Sequence, residues 1–138
     1  MLPKNPAARR YMIRISVAMT VYIGGLFAAN YLIDNALVAG PLAWAAALLP
    51  AFAIAGVFYA VGMLIVELKD EFLRMLLVRQ NLIATAFAMS VVVAWGFLES
   101  FGLVGHVAGY LIVVLWAAGM FVGAVSNRLT HGSWGQCW

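Results

Sequence analysis

Apolar residues fall in four long runs, at about 15–33, 42–66, 82–98 and 107–125, with short polar segments between them. None of the runs alternates with a period of two, so strands with one wet face are excluded. Each is long enough, at 1.5 Å per residue, to approach or exceed the roughly 30 Å of a bilayer's hydrocarbon. The pattern predicts an all-α protein, an integral membrane four-helix bundle with one domain over residues 1–138. The third run is short for a bilayer, and "MLLV" before Arg79 would extend it inward, with Arg79 snorkelling to the interface. Pro41 suits a first helical turn. Pro50 lies inside the second run, where it removes a backbone hydrogen bond and is expected to loosen or kink the helix. The connections "DNALVAGP" and "ESFGLVGH" are short. Consecutive spans should therefore be neighbours running up and down in turn.

Composition sharpens this picture. The chain is 66% hydrophobic and 9% charged, with a mean hydropathy of +1.01. Soluble domains carry about 25% charged residues. The net charge of +3 does not point to nucleic acid, because the basic residues flank apolar spans and are too few for a phosphate-binding surface. They fit contact with lipid headgroups instead.

Six of the charged residues lie in "ELKDEFLRMLLVRQN", Glu67 to Asn81. With four spans, this elbow falls on the same side as Lys4, Arg9, Arg10 and Arg14 at the start and Arg128 in the tail at 126–138. Lys69, Arg74 and Arg79 complete the set of eight, and the other two connections carry no Lys or Arg. The positive-inside rule then makes the elbow at 67–81 and both termini cytoplasmic. Trp44, Trp95 and Phe97 fall near the outer boundary, and Tyr11 and Trp134 near the inner one, where amphipathic rings are favoured. The basic start resembles a secretory signal, but the apolar core is longer than the usual 7–15 residues, so an uncleaved anchor is expected. Cys137, the one cysteine, has no partner for an internal disulfide. The tail "HGSWGQCW" has too few ligands for zinc and is expected to be a flexible end, resting on the membrane through Trp134 and Trp138.

Candidate chemistry sits at the rims. Glu67, Asp70, Glu71 and Arg74 are spaced to share one helical stripe, with Asp70 and Arg74 as an i,i+4 pair. Three carboxylates on one face offer hard donors to a divalent cation. A single stripe does not close a coordination shell, however, and no Glu-x-x-His accompanies it. The expectation is a self-paired surface that serves as a partner contact, with no metal and no cofactor. Glu99 and His106 should face each other across the outer turn, and histidine titrates near physiological pH. Asp34 ends the first span, with Asn30 a turn deeper. No span carries a charge in its middle third, which argues against a proton-coupled exporter. Gly105 with Gly109 and Gly119 with Gly123 form two GxxxG spacings, and Gly24–Gly25 precede Ala28–Ala29 at the same interval. Such residues let helices approach closely, and one pair could serve a homo-oligomer.

"DEFLR" (Asp70 to Arg74), an apolar span and then "GFLE" (Gly96 to Glu99) resemble a group of small proteobacterial inner-membrane proteins with four spans. Members often carry a second basic residue after the motif arginine, where Met75 stands here. The resemblance covers about 30 residues. It implies topology and a bacterial inner membrane, and names no reaction. The leading expectation is a non-catalytic membrane protein that packs against itself or a larger complex through the elbow. The alternatives are a small permease or channel component lined by Ser16, Thr20, Asn30, Thr85 and Ser90, and, last, a membrane-embedded enzyme.

Overall fold

A computed structural model describes residues 4–135, and its regular structure is four α-helices: α1 (Pro6–Asp34), α2 (Pro41–Glu67), α3 (Glu71–Ser100) and α4 (Leu111–His131). All four are long and apolar enough to cross a membrane. Cys137 and Trp138 lie outside the described residues.

α1 begins nine residues before the expected span. Asn5 caps it, its Oδ1 accepting from the Ala7 N–H at 3.0 Å, and Pro6 fills the first position. Hydropathy locates the lipid-crossing part of a helix; the cap locates its start, and here the two differ. α2 coincides with its expected run to within a residue at each end. Gly40, at φ 60° and ψ −134°, turns the chain into it, a conformation that a side chain would strain. The helix runs unbroken through Pro50 to Glu67.

Residues 67–81 divide between the end of α2, a short link and the start of α3. Only Leu68, Lys69 and Asp70 are non-helical. The Asp70 carboxylate accepts from the Leu73 N–H at 3.1 Å, and α3 then runs without interruption from Glu71 through Asn81 into the apolar run. An N-cap aspartate with an acidic residue behind it starts a helix, and charge alone does not end one. α4 starts at Leu111 rather than Val107, because Val107–Tyr110 turns through bonds from Leu111 N to Ala108 O and from Ile112 N to Gly109 O. It also runs past residue 125 into the expected tail. Gly132, at φ 68°, closes it in the left-handed conformation, donating its N–H to the Arg128 carbonyl.

The chain divides after Leu68 into one compact unit with α1 and α2 and another with α3 and α4. In the first, the Gly25 backbone lies against Leu49, and Ala18 meets Gly56. Moving up α1 thus corresponds to moving down α2. In the second, Gly119 meets Ala84 and Gly123 meets Gln80, so a step of four along α4 is matched by a step of four back along α3. The buried residues are mostly small: Ala18, Gly25, Ala29, Ala53 and Ala60 in the first unit, Ala84, Ala88, Gly119 and Gly123 in the second. Large side chains such as Phe27, Trp44, Phe52, Tyr110 and Phe121 are exposed. Small residues between the helices let their backbones approach closely, while the large side chains lie outside.

Candidate functional site

Three clusters of polar side chains lie within the helix pairs, two at their ends and one along a seam. The first closes the end of the α1–α2 pair where the basic N-terminal segment lies. Arg14 Nη2 donates to Glu67 Oε1 at 2.7 Å. Arg10 adds charge from one turn earlier, its Nε 3.3 Å from Glu67 Oε2, while that N–H is also directed at the Pro6 carbonyl at 3.4 Å. The Glu67 side chain is 13% exposed and that of Arg14 27%. An ion pair this sheltered holds its partners in place more firmly than one in open water.

The second cluster runs along the seam of α3 and α4. Asn127, fully buried, donates its Nδ2 to the Leu76 carbonyl at 2.9 Å. Gln80 Nε2 donates to the Met120 carbonyl at 2.9 Å. Arg79 donates to Thr130 Oγ1 at 2.6 Å and Ser126 Oγ at 3.3 Å. Trp116 Nε1 donates to Thr85 Oγ1 at 3.3 Å. Towards the end of the seam the Phe72 and His131 rings meet edge to face, and Arg128 lies over Trp134. A hydrogen bond of this kind nets about 0.5–1.5 kcal/mol, so the seam gains from several modest terms.

The third cluster is at the other end of the same unit. His106 Nδ1 lies 2.7 Å from Glu99 Oε1, so the expected contact across the turn is present. Trp95 Nε1 donates to the Gly105 carbonyl at 3.3 Å and folds the same loop against α3. Asp34, which closes α1, is exposed.

The expected stripe of Glu67, Asp70, Glu71 and Arg74 is not one helical face. Glu67 ends α2 and is engaged by Arg14, whereas Asp70 caps α3 and spends its carboxylate on Leu73. The extended backbone at Leu68 and Asp70, with ψ of 124° and 112°, breaks the spacing that a continuous helix would impose. The two GxxxG spacings also separate. Gly119 and Gly123 are buried helix-packing residues, while Gly105 and Gly109 lie in the loop before α4 with open space around them. They form no helix face and no close approach between helices. Of the suggested channel-lining residues, Thr20 and Thr85 bond back to the carbonyls of Ser16 and Asn81 on their own helices. Ser16, Asn30 and Ser90 are exposed.

Sequence reasoning missed Gln80, Asn127, Ser126 and Thr130. The signal was present: Gly119, Gly123 and Asn127 recur every four residues, as do Gln80, Ala84 and Ala88. Two such combs with an amide in each are a matched pair. Among the described residues no three His, Cys, Asp or Glu side chains gather where they could hold a metal ion. Comparison with known proteins returns no match to a family model, a curated protein or a solved structure.

Proposed function

We propose that this chain is a multi-pass protein of the bacterial inner membrane, a bundle of four antiparallel spans with both ends and the 68–70 link on the cytoplasmic side. It acts by packing rather than catalysis, as a docking subunit for a second copy or a larger membrane complex. The bacterial setting is what the DEFLR and GFLE resemblance implies. The supporting observation is where the polar groups are committed. Glu67, Arg79, Gln80 and Asn127 are each tied to the neighbouring helix of their own unit. Lys69 and Glu71 are exposed and make no ion pair or side-chain hydrogen bond among the described residues, and the exposed Phe72 and Met75 lie beside them. Unspent charges of both signs next to exposed apolar side chains provide a contact that can be specific as well as adhesive.

The contact is therefore narrower than the expected elbow: Lys69, Glu71, Phe72 and Met75, with Asp70 capping α3. Lys69→Glu combined with Glu71→Lys should leave insertion and helix content unchanged and reduce the recovery of a stoichiometric partner, or of the homo-oligomer, from mild detergent. Light scattering and the composition of the purified complex measure this. Unchanged association would remove the link as the contact, and solute flux through liposomes of the pure protein would replace docking with permeation.

A further inference from the structure

We propose that the groove between α1 and α2 is a binding site for one anionic phospholipid, its phosphodiester at Arg14 and Arg10 and an acyl chain along the helices. The proposal takes as its premise that α1 and α2 lie in lipid. A groove of about 420 Å³ runs between the two helices, with Ala18, Ala53 and Gly56 among its lining residues and Val17, Phe52 and Tyr59 as larger lining side chains. Any apolar groove in a membrane holds hydrocarbon. What makes this one a site is its end, where Arg14 lines it.

Arg14 uses Nη2 on Glu67, while its Nη1, packed away from solvent, meets no acceptor among the described residues. The Arg14 side chain is nonetheless 27% exposed, and the open part of its guanidinium, rather than the enclosed Nη1, is what a phosphate oxygen reaches. Arg10, 58% exposed, stands one turn earlier and is within reach of a headgroup. Two arginines against one glutamate leave a surplus positive charge at the mouth. The dimensions agree. From Arg14 to Val21 the groove follows α1 for about 10 Å at 1.5 Å per residue, most of the roughly 15 Å half-thickness of the hydrocarbon. The headgroup therefore lies at the expected cytoplasmic interface while the chain points to the midplane.

The full chain, purified in mild detergent and exchanged with phosphatidylglycerol or phosphatidylcholine, is examined by native mass spectrometry. One phosphatidylglycerol should be retained per chain, about fivefold over phosphatidylcholine, the ratio that one basic side chain's attraction to an anionic surface gives. Arg14→Gln should abolish the preference between headgroups. Gly56→Leu should lose both lipids, because a Cβ there meets only Ala18 Cβ at an ordinary 3.6 Å and the longer side chain extends into the groove. Membrane retention after carbonate washing is scored in parallel; if Arg14→Gln fails to insert, Gly56→Leu decides. Equal retention of the two lipids by the unaltered chain, undiminished retention by Gly56→Leu, or a dimer mass without lipid would each overturn the assignment.

Discussion

Alanine at Gly119 forces α3 and α4 apart, and the purified protein unfolds at a lower temperature than the unaltered chain. An added Cβ would lie 2.7 Å from Ala84 Cα and 2.8 Å from its carbonyl oxygen, so backbone rather than a pliable side chain must yield. Overpacking of this kind costs about 1–3 kcal/mol. The gain in helix propensity from Gly to Ala is at most about 1 kcal/mol and does not offset it. Gly123→Ala acts in the same sense, meeting Gln80 Cγ and carbonyl oxygen at 2.8 Å. Gly96→Ala is the control: it sits in α3 with nothing within 4 Å of the new methyl, so only propensity remains and stability holds or rises. Thermal unfolding in detergent measures all three. If Gly119→Ala were as stable as Gly96→Ala, the helices would not approach at this seam.

Removing the Glu67 carboxylate loosens the α1–α2 pair at the end where Arg14 and Arg10 lie. The substitution Glu67→Gln leaves two guanidinium groups one turn apart with no carboxylate to share. Glu67→Arg adds a third cation and acts more strongly. Spin labels on the exposed positions Ile13 and Val66 should report a broader and longer distance distribution in both variants. Labels at Val78 and Leu129, exposed in the other unit, should report no change. The exchange Arg14→Glu with Glu67→Arg restores the attraction and should narrow the first distribution again. Unchanged distances in Glu67→Arg would show that small-residue packing alone holds the pair.

Both predictions concern contacts that local sequence only half reveals. Four helices are legible because long apolar runs without alternation read as helices rather than strands. α2 was placed to within a residue because Gly40 and Pro41 mark its start and charge follows its end. α1 and α3 were underestimated because their polar first turns are helical yet lie beyond the apolar run; the signals were Asn5 before Pro6 and Asp70 before Glu71. α4 was placed early because Val107–Tyr110 is apolar enough to extend the span, although Gly109 and its turn delay the helix. At the sites, the contact between Glu99 and His106 was legible, since seven residues and a turn bring them together. Spacing places Glu67 on a local stripe, but its partner is 53 residues away. Spacing reports neighbours on one helix; it does not report which face of a distant helix will be opposite.

The threading of the chain is the claim on which the proposed function rests, and cysteine accessibility tests it most directly. With Cys137 replaced by serine, single cysteines are placed at Leu37, Lys69 and Leu103, all exposed in the connections between helices. Intact cells are then treated with a membrane-impermeant maleimide. Leu37 and Leu103 should label from outside and Lys69 only after the inner membrane is permeabilised. Labelling of Lys69 in intact cells, or of only one of the other two, would contradict four spans with the basic residues inside.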